Sequence, residues 1–157
     1  MHPRARSFAE RAAAEHDLEV DVHEFPEGTK TAADAADAIG CDVAQIASSL
    51  AFHAPGLVVV ITSGANRVSE GHLAELRDVP ENEVGMADAD DVREALGWSI
   101  GGVPPFCHAT DVPAYLDETL TGFETVWAAA GTPEAVFPIA PDRLETLAGA
   151  QSVDVTE

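Results

Sequence analysis

Gly101-Gly102 and Pro104-Pro105 bracket Val103 and lead into Phe106, Cys107 and His108. Two adjacent glycines and two adjacent prolines do not fit inside a helix or a central strand. Glycine permits positive φ and close backbone approach, whereas proline fixes φ and removes an N–H. The expected product is a stiff loop with the amides of Gly101, Gly102 and Val103 free to face an anion or a developing oxyanion. The same pattern also serves as a plain turn between strands. His108 can act as acid or base with an ordinary pKa of about 6.5, or sit as a hydrogen-bonded, half-buried ring. Cys107 reads as a packing residue, because neither a helix N-terminus nor a cation adjoins it in sequence to lower its pKa. Ser48 and Ser49 stand in an apolar run without a G-x-S-x-G elbow, so a Ser-His-Asp triad is not expected.

The elements that position these residues follow from periodicity and caps. Arg4 to His16 places Ala5, Phe8, Ala9 and Ala12 on one face and predicts a helix. Val20 to Phe25 alternates as a strand does, and Pro26-Glu27-Gly28 breaks it. Thr31 opens a second helix in the manner of a capping box, with Ala32, Ala35, Ala36 and Ile39 inward and Gly40 as its stop. Ile46–Phe52 and Leu57–Thr62, joined by His53-Ala54-Pro55-Gly56, form the pattern of a buried hairpin with His53 at its tip. Ser69 caps a helix bearing Leu73 and Leu76, and Glu83–Met86 reads as a short strand. Asp88 caps a helix bearing Val92, Ala95 and Leu96, which Gly97 ends. Strands are expected at Ala114–Asp117, Thr125–Ala129 and Ala135–Ile139. Pro141 then starts a helix that Gly149 stops, and Ser152–Val155 reads as an edge strand. Strands and helices alternate without a strict βαβ rhythm, which predicts α/β architecture with a mixed sheet and helices around it.

The 157 residues suit one domain, and 46% hydrophobic with 23% charged residues is a globular composition. No apolar run reaches the roughly 18 residues that a membrane span needs, so no membrane partner is expected. Met1-His2-Pro3-Arg4 leads directly into helical pattern without a signal-peptide core. Cys41 and Cys107 form no CxxC pair, which argues against a disulfide framework or structural zinc and fits a reducing cytoplasm. Asp plus Glu number 28 against 8 Lys plus Arg, a net charge of −20, and Lys30 is the sole lysine. An ordinary nucleic-acid-binding domain does not have this balance. At about 1 M salt the screening length is roughly 3 Å, so the charge is what a cytoplasm of molar salt, as in a halophilic archaeon, would select. A low-salt acidic protein with a small-molecule ligand is the other reading of the same charge.

Three stretches occur in order: Val43-Ala44-Gln45-Ile46-Ala47-Ser48-Ser49-Leu50, Gly101-Gly102-Val103-Pro104-Pro105-Phe106, and Trp127-Ala128-Ala129-Ala130-Gly131-Thr132-Pro133. Together with the Thr31 helix and the Asn66-Arg67-Val68 turn, they resemble the YbaK/prolyl-tRNA-editing deacylase family over nearly the whole chain, 1–157, as one domain. The resemblance implies a compact α/β domain with a mixed, barrel-like sheet surrounded by helices. It implies hydrolysis of the ester of a mischarged tRNA carrying a small amino acid, by a free-standing protein, with no metal and no cofactor. The partners implied are the aminoacylated 3′ end of tRNA and, as a second candidate, an aminoacyl-tRNA synthetase. By family position the candidate catalytic residues are Ser48, Gly101 and Gly102. The candidate substrate-binding residues are Lys30, Ser49, Arg67, Val103, Pro105, Phe106, His108, Gly131, Thr132 and Glu134. One departure stands out: where the family pattern reads Gln-Ile-x-Lys-Ser-Leu, this chain has Ser48 in the lysine's place. Either the charge comes from elsewhere, with Lys30 and Arg67 as sources, or the pocket binds a tRNA end, a nucleotide or a synthetase without cleaving.

Overall fold

The computed structural model describes residues 1–25 and 31–157. Helix α1 spans Pro3–His16, with proline at its first turn and the His2 ring accepting from the Arg4 amide. Its Ala5, Phe8 and Ala12 are fully buried, and Phe8 meets Phe106 and Phe137 at ring-centroid distances of 5.5 and 5.1 Å. Helix α2, Ala32–Ile39, begins where Thr31 Oγ1 accepts from the Asp34 amide and ends at Gly40 with φ 85°. The residue three positions beyond the cap is aspartate, and the reciprocal half of a capping box is found one element later. There the Asp42 and Gln45 side chains each accept from the other's end of a single 3₁₀ turn. Helices α3 (Glu70–Arg77), α4 (Ala89–Leu96) and α5 (Pro141–Ala148) start and stop at the expected caps, Ser69, Asp88, Gly97 and Gly149.

Eight strands form one mixed sheet: β1 (His23–Glu24), β2 (Ile46–His53), β3 (Leu57–Ser63), β4 (Gly85–Met86), β5 (Ala114–Asp117), β6 (Val126–Ala129), β7 (Ala135–Ile139) and β8 (Gln151–Val153). The order is β1-β7-β6-β2-β3-β5-β8, with β4 also paired to β2. β2 and β3 are antiparallel over seven residue pairs, from Ala47 opposite Ser63 to His53 opposite Leu57. β2–β6, β3–β5 and β5–β8 are parallel. β3 is buried from Val58 to Ser63, as befits a strand flanked on both edges and covered on both faces.

Three expected elements shift. The strand expected from Val20 shrinks to His23–Glu24, because it has only the end of β7 to pair with, while Val20 and Val22 pack against the core. Glu83 closes a 3₁₀ turn, Glu81–Glu83, and only Gly85–Met86 pairs with β2. The last strand is Gln151–Val153, placed one residue earlier by its parallel register with Tyr115–Asp117. On α3, Leu73 is buried as expected but Leu76 is exposed, and Ala74 takes the inward position.

Candidate active site

β2 is the frame of the site. One of its edges is filled by β3. The other is filled by β6 at Ile46–Ala47 and by β4 at Phe52–His53. Between those two short pairings, Ser48, Ser49 and Leu50 have no strand partner on that edge among the described residues. A cavity of about 250 Å³ opens there. Residues 46–51 form its floor; α2 contributes Thr31, Ala32 and Ala35; β6 contributes Trp127 and Ala129. Ile100, Gly101 and Val103 come from the glycine–proline loop, and Met86, Ala87 and Val92 close the far side.

Small apolar side chains dominate this lining. Thr31, Ser48 and Ser49 supply its hydroxyls, and among the described lining residues no side chain is ionisable. Ser48 and Ser49 point to opposite faces of the strand. Ser48 lies on the face of its cross-strand partner Thr62, and Ser49 on the face of Ala47 and Ala51. The Ser49 Oγ is buried and has no hydrogen-bond partner among the described residues. An unpaired buried hydroxyl costs about 1–3 kcal/mol.

The glycine–proline loop divides its amides. Gly102 N donates to Ser99 O at 3.0 Å and closes a turn, so the expectation of a free amide there is overturned. Gly101, at φ 90°, and Val103 donate to no acceptor among the described residues, and both line the cavity. Gly102 is instead a packing residue: a Cβ on it would lie 2.7 Å from the Thr132 Cα. Gly131, at φ 95°, is pressed as tightly, since its Cβ would meet the Arg4 carbonyl oxygen at 2.7 Å and Trp98 Cζ3 at 2.9 Å. The two motifs that stand far apart in sequence, 101–106 and 127–133, are thus the two halves of one backbone contact.

The structure brings Ser48, Ser49, Gly101 and Val103 together at the cavity and places the other described candidates elsewhere. Phe106 is a core residue beside Phe8 and Phe137, and Pro105 is buried next to it. His108 bonds through Nε2 to Pro104 O at 2.7 Å; burial lowers its pKa, against the opposing pull of that hydrogen bond. Its ring braces the loop rather than facing the cavity. The Cys107 thiol is pushed up to about 11 by burial and by the nearby Glu15 carboxylate, so it stays protonated and inert. Thr132 is buried with its carbonyl accepting from Ala135, and Glu134 is exposed with its carbonyl accepting from Phe25. The Arg67 guanidinium is exposed and makes no hydrogen bond or ion pair among the described residues, away from the cavity lining. His53, at the hairpin tip, meets the Asp91 carboxylate at 2.8 Å. Lys30 lies outside the described residues.

One structural group at this end of the sheet was not among the expected residues. Asp117, 1% exposed, accepts from the Thr62 hydroxyl, the Ser63 amide, the Asn66 side-chain amide and the Thr119 amide. Burial raises its pKa, but the bonds from Asn66, Ser63 and Thr119 outweigh it and hold the carboxyl below its usual value. The local signal was present: an aspartate ending an apolar strand two residues before Thr119 is a turn cap. Its partners Thr62, Ser63 and Asn66 lie more than fifty residues away.

The same arrangement recurs in known proteins. A crystal structure described as that of a "putative trans-editing enzyme for prolyl tRNA synthetase" superposes with a TM-score of 0.93 at 41% identity, covering 100% of this chain and 99% of its own. The crystal structure of hypothetical protein APE2540 matches with a TM-score of 0.83 at 27% identity, covering 96% and 99%. Protein YwhH of Bacillus subtilis (strain 168), itself uncharacterized, is 32% identical over 128 residues, 80% of each chain. The model of the aminoacyl-tRNA editing domain matches residues 26–147, a span that takes in β2, the glycine–proline loop and the Gly131 turn that together build the site. With that match over most of its length, the chain belongs to the aminoacyl-tRNA editing domain family.

Proposed function

We propose that the protein is a free-standing aminoacyl-tRNA deacylase that hydrolyses the ester of a tRNA mischarged with a small amino acid. The observation that carries this reading is the cavity at the gap in β2: about 250 Å³, lined by small apolar side chains and by Ser49, whose buried hydroxyl has no partner among the described residues. That volume suits an amino-acid residue better than a drug-sized ligand, for which pockets begin at roughly 300 Å³. In the reaction, water adds to the ester carbonyl, the ester C–O bond breaks, and the amino acid and a tRNA with a free terminal ribose hydroxyl leave. In this reading the amides of Gly101 and Val103, which meet no acceptor among the described residues, donate to the oxyanion that forms on the way. The serine hydroxyls orient substrate and water. The described lining holds no side chain able to serve as a general base, so the attacking water is oriented by substrate groups and by these neutral donors.

The partners in this reading are the aminoacylated tRNA end and, through it, a synthetase whose error is corrected. The setting is a cytoplasm; no helix among the described residues is long and apolar enough to cross a membrane. A second reading, a non-catalytic module that holds a tRNA end, is favoured by one observation: Ser48 brings no charge to a cavity that has no ionisable lining side chain among the described residues. A deacylation assay over a panel of mischarged tRNAs, run from 0.1 to 2 M KCl, separates the two. Release of a small amino acid faster than in the absence of protein supports the deacylase. Tight tRNA binding without release at any salt supports the module.

A further inference from the structure

We propose that a second cavity, on the other side of the glycine–proline loop, binds phosphodiester groups of the tRNA acceptor end while the ester occupies the β2 gap. This rests on the deacylase reading above. The cavity measures about 270 Å³ and is lined by Pro3, Arg4, Ser7 and Arg11 from α1 and by Gly97 and Trp98 from the turn after α4. Arg4, Ser7 and Arg11 are spaced i, i+3, i+7 and so share one helix face. In a chain with 8 Lys plus Arg against 28 Asp plus Glu, two arginines and a hydroxyl line one concave surface, with Glu15 paired to one of the arginines, Arg11.

Both guanidinium groups are already oriented and still have donors to spare. Arg4 Nη1 donates to Ser99 Oγ at 3.2 Å, and Arg4 has no carboxylate partner among the described residues. Arg11 donates from Nε to Glu15 at 2.8 Å and from Nη2 to His108 O at 3.4 Å. A guanidinium has five N–H donors in a fixed fork suited to phosphate oxygens, so each arginine keeps donors for a ligand. Arg4 also lies in the first turn of a 14-residue helix, where the backbone dipole favours an anion.

Position makes the ligand a phosphodiester chain in continuity with the ester. Gly97 and Trp98 line this groove, whereas Ile100, Gly101 and Val103 line the β2 cavity. Ser99, held by Arg4, stands between them. The two linings are thus one residue apart in the chain, across Ser99, which keeps the groove close to the cavity that the terminal ribose ester enters. The close approach of Gly131 to both Arg4 O and Trp98 Cζ3 holds α1 against this turn.

The test compares Arg4→Gln/Arg11→Gln with wild type and with Arg143→Gln, a charge change on α5 remote from both linings. Each is assayed on mischarged tRNA and on the same amino acid esterified to adenosine, which has no phosphates. For the double variant, kcat/KM on tRNA is expected to fall about tenfold, mainly through KM, with the tRNA-to-ester ratio falling by the same factor. The slope of log KM against log[salt] is expected to decrease by about one to two. Arg143→Gln should leave the ratio and slope as in wild type. Equal losses on both substrates, or an unchanged tRNA KM and slope, would overturn the proposal. If wild type cleaves neither substrate, the deacylase reading fails on its own, and binding of uncharged tRNA judges the groove. A shallower salt slope in the double variant then supports it, and an equal slope overturns it.

Discussion

Gly102 sits so close to Thr132 that a methyl group on its Cα would lie 2.7 Å from the threonine Cα and 2.9 Å from its nitrogen and carbonyl carbon. All three atoms are backbone, so neither side can yield by a rotamer change. Gly102→Val is expected to destabilise the fold by about 3 kcal/mol and to lose activity in step with stability. Gly101 differs, since a Cβ there meets only Pro133 side-chain atoms, at 3.4 Å and beyond, and the cost is that of a positive φ, about 1–2 kcal/mol. Thermal melts alongside activity distinguish the two: parallel loss at position 102, and loss of activity exceeding loss of stability at 101. A Gly102→Val protein that melts like wild type would contradict the packing role.

Ser49 offers the opposite signature. Its hydroxyl is buried and unpaired among the described residues, so Ser49→Ala removes an unsatisfied group and should leave stability unchanged or raise it by about 1 kcal/mol. If the hydroxyl serves the substrate, kcat/KM on mischarged tRNA should fall about tenfold in the same protein. Lower stability with unchanged turnover would assign Ser49 to the fold.

Ser48 lines a cavity that has no ionisable lining side chain among the described residues, so any positive charge in the proposed reaction must come from elsewhere. Lys30 directly precedes Thr31, which lines the cavity, and lysine's long stem and rotatable donors suit the delivery of a point charge. Ser48→Lys is expected to raise the rate or to make Lys30 dispensable, so that Lys30→Ala is costly alone and mild in the Ser48→Lys background. A double-mutant cycle read in activation free energies measures this coupling. An active wild type indifferent to Lys30→Ala would rule out that source of charge.

Asp117 ties the end of β3, the Asn66 turn and the 3₁₀ turn after β5 together. Because its folded pKa is depressed, its contribution is fully present above the unfolded pKa, near 3.9, and is lost as pH falls through the folded value. Asp117→Asn should therefore cost about 2–3 kcal/mol at pH 7, with the gap to wild type closing as pH drops below 4. Urea melts at pH 7, 5 and 3 measure that gap. A gap independent of pH would remove the carboxylate from the account.

With a net charge of −20, the midpoint of thermal unfolding is expected to rise between 0.1 and 2 M KCl as repulsion is screened. A flat or falling midpoint would mean that the charge is not a salt adaptation.

The local punctuation of the chain was legible because caps act within one turn. Thr31, Gly40, Asp88, Gly97 and Gly149 each bound a helix by a contact made three or four residues away, and Pro141 opens the last helix through its fixed φ. Hidden were a local turn bond and contacts set by packing across the sheet. The Gly102 amide looks free in sequence and is spent on Ser99, and Phe106 looks like part of a binding loop but completes an aromatic cluster with Phe8. Ser48, Ser49, Gly101 and Val103, singled out by resemblance, all line the cavity, but no sequence signal marks the Ser49 hydroxyl as lacking a partner among the described residues. Asp117 was missed for the same reason, its donors being supplied by a strand and a turn far back in the chain.

The interrupted pairing along β2 has a mechanical consequence. The opening is bounded at one end by the Ala47–Ala128 pair and at the other by the Phe52–Met86 pair, so its aperture is fixed by two hydrogen-bond ladders outside it. Sliding or tilting either short strand would resize the window without altering any residue that faces it. The width of the opening can therefore change through substitutions on β4 and β6 that leave Ser48 in place, and position 48 can change identity while the frame survives.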